Sequence, residues 1–162
     1  MNVVPLLSSG TPCPLTGTLH LPRMYTKIAA DGKSVLAEGY PAIGKGFDQM
    51  VITALGLTPE KVTEAAKGRA YPAFVEELRL QGANFDAENV AALNRSILGY
   101  NHDDGTRGGI LGAEGITDKT GIKSAVELNM LDDLRELFNA LNPAPAEAAP
   151  AAPTVEQTPV AA

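Results

Sequence analysis

Tryptophan is absent from this 162-residue chain, and phenylalanine and tyrosine are scarce, with four of each. Aliphatic side chains and methionine must therefore fill the interior, which suits helices packed closely together. Cysteine occurs once, at Cys13, which excludes an internal disulfide and indicates a reducing compartment. We therefore expect a cytoplasmic, mostly α-helical protein with a single core.

Long apolar stretches and basic runs are also missing. No stretch approaches the ~20 apolar residues that span a bilayer, and proline and glycine interrupt the uncharged residues 1–22, unlike a secretion signal. No run of lysine or arginine offsets the net charge of −6, which would repel phosphate backbones and anionic lipids. The sequence therefore predicts neither a membrane segment nor a nucleic-acid partner.

What is present is a repeated helical spacing of apolar residues between residues 22 and 141. Proline, threonine or asparagine starts several of these segments, and glycine or proline ends most of them. In the last segment, Asp132 and Asp133 are expected to face outward, opposite apolar residues such as Leu134 and Phe138. The pattern predicts a compact bundle of six helices, over about 22–36, 47–56, 58–68, 70–81, 86–98 and 124–141.

Three segments outside these helices have their own composition. Residues 1–21 alternate proline, glycine, serine and threonine with short apolar pieces, which predicts an extended arm lying over the domain. Seven glycines between residues 99 and 121 predict an irregular surface loop. Residues 142–162 are mainly alanine and proline and predict a disordered tail. The helical domain is therefore expected over residues 22–141.

Several short motifs occur in an order similar to that of a bacterial family, the domain-of-unknown-function (DUF) family 5069. The resemblance covers about residues 15–135 and implies a helical fold and a bacterial source. The family has no agreed activity, so the resemblance implies no function. The similar stretches are Gly17-Thr-Leu-His-Leu-Pro22-Arg23-Met24, Gly46-Phe47-Asp48, Leu55-Gly56-Leu57-Thr58, Leu93-Asn94 and Leu128-Asn129-Met130-Leu131-Asp132-Asp133.

Polar residues at the starts of the first two helices are the first candidates for a site. Arg23, Lys27 and Asp48 stand where free backbone amides and the helix dipole favour an anion. The alternative is that Arg23 and Asp48 pair with each other. Asn94 lies beside the apolar face of the fifth helix, a position more typical of a hydrogen-bonded buried amide than of a catalytic group.

The Gly-rich loop supplies the other candidates, His102 and Arg107. His102 precedes Asp103 and Asp104, and these residue types bind metals or move protons, but the spacing lacks the EF-hand pattern, so we predict no metal. Arg107 lies among glycines, which would let its guanidinium and bare amides meet a carboxylate or phosphate. The alternative is a mobile loop with an incidental arginine.

Two further motifs lack residues that the corresponding functional sites require. Residues 39–46 have the spacing of a phosphate-binding P-loop, but Gly46 replaces the hydroxyl residue that ligates magnesium and Pro41 removes an amide. Cys13 has no activating base nearby in sequence, so a packed thiol is favoured over a nucleophile. No dinucleotide or nucleophile-elbow signature occurs, and we therefore predict no cofactor.

These observations favour a binding or adaptor domain for a small anionic ligand or a protein partner. One alternative is a small cofactor-independent enzyme, in which Arg23 and Arg107 hold an anionic substrate while His102 or Asp48 moves a proton. Another alternative is a structural subunit of an oligomer, which the uncharged arm suggests.

Overall fold

The computed structural model describes residues 2–117 and 121–143, and these ranges are mostly α-helical, as the sequence predicts. No described helix is long and apolar enough to cross a bilayer. Nearly all of the predicted tail, residues 144–162, lies outside the described residues. The described ranges hold seven helices, α1 Leu21–Asp31, α2 Phe47–Ala54, α3 Pro59–Ala66, α4 Tyr71–Leu80, α5 Ala87–Leu98, α6 Asp104–Ala113 and α7 Ala125–Leu141.

The main core lies among the first five helices. α3 packs on α4, α2 packs on α5, and α1 contacts both α2 and α3, while α7 joins the body through α5 and α6. Burying one large apolar side chain contributes about 1.5–3 kcal/mol, so this core is the principal source of stability. Its fully buried members include Leu21, Met24, Val51, Ile52, Leu55, Val62, Phe74, Leu78 and Ile97.

The start of α3 follows the sequence signal closely. Thr58 is the N-cap, and its hydroxyl accepts a hydrogen bond from the Lys61 amide at 3.4 Å. Pro59 takes the first helical position, where its missing N–H costs no hydrogen bond. Local chemistry therefore suffices to set this boundary.

The first helix is shorter than predicted, because it ends at Asp31. Val35 and Leu36, which the spacing assigns to the helix, lie instead beside the N-terminal arm. The Val3 amide donates to the Val35 carbonyl at 2.6 Å, and the Ala37 amide donates to the Val3 carbonyl at 3.0 Å. The prediction is wrong here because the arm, distant in sequence, supplies the backbone partners of this segment.

The arm is extended, as predicted, and it contributes to the core. Val4, Cys13 and Leu19 are buried. The chain turns between residues 13 and 17, and Pro12 then pairs with Leu19 in an antiparallel bridge. The arm therefore forms one wall of the folded body.

Part of the segment 99–121 is helical, and this corrects the prediction of an irregular loop. α6 occupies ten of these residues although four of the ten are glycine. Asp103 caps the helix: its Oδ1 accepts from the Thr106 amide at 2.9 Å and its Oδ2 from the Thr106 hydroxyl at 2.8 Å. Arg107 and Leu111, one turn apart, are buried. Capping and packing thus outweigh the low helix propensity of glycine.

Candidate functional site

A buried polar cluster joins the starts of α1 and α2. The Nε2 atom of His20 lies 2.8 Å from Oδ1 of Asp48, and the Lys27 ammonium donates to Oδ2 of the same carboxylate. The Gly44 amide also donates to Oδ2, at 2.6 Å. All three side chains, His20, Lys27 and Asp48, are buried, and we call them the Asp48 cluster. The charges of Lys27 and Asp48 therefore neutralise each other within the cluster.

The hydrogen bonds fix the protonation state of this cluster. Burial would raise the pKa of Asp48, but the hydrogen bond from His20 and the charge of Lys27 outweigh it and lower that pKa. An ionised carboxylate only accepts, so the Nε2 atom of His20 carries the proton. Burial lowers the pKa of His20, although Asp48 opposes this. His20 is therefore neutral, and its Nδ1 atom is buried without a hydrogen-bond partner among the described residues.

Arg23 of α1 forms a second buried ion pair, with Asp133 of α7. Nη1 of Arg23 donates to Oδ2 at 2.6 Å and Nη2 donates to Oδ1 at 2.9 Å. Nη1 also donates to the carbonyls of Pro5 and Leu7 in the arm. The Tyr40 hydroxyl donates to Asp133 at 2.9 Å, and it stays protonated because burial and the neighbouring carboxylate raise the pKa of Tyr40. One guanidinium thus connects the arm, α1 and α7.

Two expectations about these charges are wrong. Arg23 and Asp48 do not pair with each other, because Arg23 binds Asp133 while Asp48 binds Lys27 and His20. Asp133 does not face outward, since its side chain is only 6% exposed. The partners Arg23 and Asp133 are 110 residues apart, and helical spacing carries no information about a pairing at that separation.

Asn94 of α5 holds the arm in position. The Leu19 amide donates to its Oδ1 at 2.9 Å, and its Nδ2 donates to the Gly17 carbonyl at 2.9 Å. Gly17 has a φ of 73°, in the left-handed region that favours glycine. The side-chain amide of Asn94 is therefore engaged with the turn of the arm.

His102 and Arg107 are not members of the Asp48 cluster and hold partners of their own. The Nε2 atom of His102 is 3.0 Å from the Oδ1 atom of Asn129 on α7. Arg107 is a buried residue of α6, and its Nε donates to the Ile122 carbonyl. Of the six candidate residues, the structure thus gathers Arg23, Lys27 and Asp48 near the start of α1 and distributes the other three.

The sequence motifs do not assemble a phosphate or metal site. Within the P-loop-like segment, the Gly44 amide donates to Asp48 and is not free for a phosphate oxygen. His102 and Asp103 bind different partners, and no group of three or more potential ligands among the described residues is placed to hold a metal ion. Cys13 is buried in the main core.

From Met130 onward, α7 presents several large apolar side chains to solvent, while Ala125 and Leu128 near its N-terminus are buried. Phe138 and Leu141 are 64% and 62% exposed, whereas the carboxylate of Asp133 is buried. Helices on a protein surface ordinarily show the opposite arrangement. The exposed residues recur at intervals of three or four and share one side of the helix. We call them the outer face of α7: Met130, Leu134, Phe138 and Leu141.

Polar contacts attach the inner side of α7 to the body. Besides the Arg23–Asp133 pair, Arg135 lies 3.3 Å from Glu114 at the end of α6. The large apolar side chain that α7 buries fully is Leu128, near its N-terminus. These contacts explain why the helix takes this orientation, although its apolar stripe points away from the core.

Acidic residues lie on two sides of α7. Glu127 is exposed one turn before Met130, on the side of the outer face, whereas Asp132 and Glu136 lie on the opposite side and line a cavity of about 430 Å³ with Glu38. Arg135 is close to Asp132 and Glu136, at 2.6 and 3.2 Å, and its charge is shared among these carboxylates. The outer face therefore carries the charge of Glu127, while these other carboxylates lie on the far side of the helix.

Three members of the buried network were not among the candidates, namely His20, Tyr40 and Asp133. His20, Arg23 and Lys27 recur at i, i+3 and i+7, so the sequence already places them on one side of α1. This spacing is the feature of the sequence that could have identified His20 as a member of the network. Tyr40 and Asp133 carry no comparable local signal, because only the packing of α7 on the body brings them to Arg23.

No protein family model matches this chain, and neither does any curated protein or solved structure.

Proposed function

We propose that this protein is a binding domain that captures an amphipathic, basic segment of a partner protein on the outer face of α7. The observation that carries the proposal is the reversed polarity of α7, with Phe138 and Leu141 exposed and Asp133 buried. Apolar side chains aligned on one helical face and bordered by polar residues are typical of helix-in-groove recognition. Aromatic and large aliphatic residues supply most of the affinity at such interfaces.

The arm carries two further exposed leucines. Leu6 and Leu7 are exposed, and the Leu7 carbonyl and the Asp133 carboxylate accept hydrogen bonds from the same nitrogen of Arg23. The arm therefore lies close to α7 at Asp133, and we propose that its leucines add to the contact with the partner.

The charge around the outer face favours a basic partner. Glu127 is exposed one turn before Met130, and the whole chain carries −6. A second copy of this chain would bring like charges together, which costs free energy and slows encounter. Lysine or arginine beside apolar residues on the partner would instead gain from this field.

A small anion at the start of α1 has less support. The cations there, Arg23 and Lys27, are buried and already pair with Asp133 and Asp48. An anion would have to displace a carboxylate from one of these buried pairs. The free energy lost by breaking the pair would exceed the free energy gained by binding the anion. Of the two ligands that the sequence suggests, a protein partner is therefore better supported than a small anion. Membership of the bacterial family stays an expectation from the sequence motifs.

Two designed helical peptides of about 18 residues test the proposal. Both carry a leucine stripe, and one is flanked by lysine while the other is flanked by glutamate. We expect fluorescence anisotropy to show saturable binding of the lysine peptide alone, weakening with added salt. The double variant Leu134→Gln, Phe138→Gln should weaken this binding by about tenfold or more, since both changes remove apolar contact.

Leu80→Gln is the matched control, because Leu80 is 75% exposed on α4. It should leave peptide binding unchanged, and the unfolding free energy of both variants should stay within about 0.5 kcal/mol of the wild type per substitution. Equal binding by the control and the double variant would mean that the peptide attaches elsewhere. Sedimentation that shows a dimer abolished by the double variant would replace the partner with a second copy of the chain.

A further inference from the structure

A cavity of about 220 Å³ opens where the start of α2 meets the segment after α5. Phe47 and Met50 of α2 and Tyr100 form its apolar walls. Pockets for drug-sized ligands are larger, about 300–1,000 Å³. The space therefore suits a molecule with a single ring system. Polar groups at its edge come from Lys45, His102 and Asn129.

The aromatic walls meet nearly at right angles. The ring centroids of Phe47 and Tyr100 are 5.7 Å apart at 75°, and those of Tyr100 and His102 are 5.9 Å apart at 88°. Such walls give a flat guest one ring to stack on and another to meet edge to face. The thioether of Met50 adds a polarisable contact for an aromatic guest.

Lys45 gives the cavity its charge. Its side chain is exposed, and in the described part of the chain no ion pair or hydrogen bond engages its ammonium group. None of the described residues that line the cavity is acidic. The Asn129 oxygen accepts from Nε2 of His102, which fixes the orientation of that ring. The polar end of the cavity therefore favours an anion over a cation.

A carboxylate fits this end better than a phosphate. Phosphate sites use several backbone amides together with the cation, and the Gly44 amide next to Lys45 already donates to Asp48. One ammonium group suffices to pair with a monoanion.

We propose that this cavity binds a small aromatic carboxylate, whose ring lies against Phe47 and Tyr100 and whose carboxylate pairs with Lys45. The cavity is separate from the outer face of α7, so this site does not depend on the function proposed above.

Titration with indole-3-acetate tests the site. The chain has no tryptophan, so the fluorescence of the indole is observed without a tryptophan background from the protein. We expect saturable binding to the full chain, and in NMR spectra the largest shifts at Tyr100 and His102. Lys45→Gln should raise the Kd about tenfold, because it removes a charge-assisted contact. The neutral analogue indole-3-acetamide should bind the wild type more weakly, and Lys45→Gln should not alter its Kd.

Lys61→Gln is the matched control, since Lys61 is an exposed lysine on α3, outside the cavity. It should leave the Kd for indole-3-acetate unchanged. Three results would overturn the proposal: no saturation up to about 5 mM ligand, equal effects of Lys45→Gln and Lys61→Gln, or chemical-shift changes that avoid Tyr100 and His102. Lys45 is exposed, so loss of folding does not confuse the comparison; circular dichroism verifies this.

Discussion

Arg23 connects three parts of the chain through a single buried guanidinium. It donates to the Pro5 and Leu7 carbonyls in the arm and to both oxygens of Asp133 on α7. A buried charge is stable only with a close partner and satisfied hydrogen bonds, and here the planar fork of arginine matches the carboxylate in a bidentate pair. The pair is therefore a positioning element for α7.

Asp133→Asn should lower the free energy of unfolding by about 3–5 kcal/mol, because it leaves the Arg23 charge buried without a counter-charge. Urea denaturation followed by circular dichroism measures the loss. Asp132→Asn is the control, and it should cost at most about 1 kcal/mol, because Asp132 is partly exposed and pairs with Arg135 at the surface. Equal losses from the two variants would show that the buried pair has no special part in stability.

At the scale of the elements, α6 and α7 differ most from what the sequence predicts: α6 is not predicted as a helix, and α7 has the opposite orientation. α6 forms in a glycine-rich segment because Asp103 caps its start and one side, with Arg107 and Leu111, is buried. α7 buries its polar side because its anchors are ion pairs and hydrogen bonds, while Leu128 alone supplies a large, fully buried apolar group. In both helices, contacts made by specific polar side chains decide the outcome.

Two glycine substitutions test how α6 is held. An added Cβ meets no heavy atom within 4 Å at Gly108 or at Gly115, so sterics do not separate the two sites. Gly108→Ala should stabilise the protein by about 0.5–1 kcal/mol, because alanine restricts the unfolded chain and favours a helix. Gly115→Ala should destabilise it by about 1–2 kcal/mol, because Gly115 has a φ of 65°. Thermal unfolding measures both changes. Destabilisation by Gly108→Ala would argue against a helix at that position.

At the scale of the whole molecule, the polar network makes stability depend on acid. The pKa of folded His20 lies below its ordinary value of 6.5, so the unfolded chain binds a proton more readily as pH falls through 6.5. The pKa of folded Asp48 lies below 3.8, which adds a second loss of stability below that pH. The contribution of these two groups to stability is therefore present at pH values above 6.5 and decreases in two stages on the acid side.

His20→Asn should flatten the first of these stages. Asparagine tolerates the left-handed backbone of His20, where φ is 66°, and its amide can still donate to Asp48. We expect unfolding free energies measured by urea between about pH 7.5 and 5 to fall less steeply for the variant than for the wild type. The decrease below pH 3.8 should persist, because Asp48 is retained. Parallel curves for the two proteins would exclude His20 as the titrating group.

The arm also acts at this scale. It buries Val4, Cys13 and Leu19, pairs through Val3 with the segment after α1, and binds Arg23 through two carbonyls. Asn94 secures its turn from α5. An extended segment without helical periodicity thus becomes part of the core, because its backbone groups find partners throughout the body.

The amino-acid sequence by itself determined the mostly helical architecture and the location of six helices, except for the end of α1, because apolar spacing and end signals such as Thr58 and Pro59 act within a few residues. It also placed Arg23, Lys27 and Asp48 at the starts of α1 and α2. Tertiary structure alone decided that Arg23 pairs with Asp133, that α6 forms, and that α7 turns its apolar side outward. These outcomes depend on partners up to 110 residues apart, and a periodic pattern shows which residues share a side without showing which side the rest of the protein will cover.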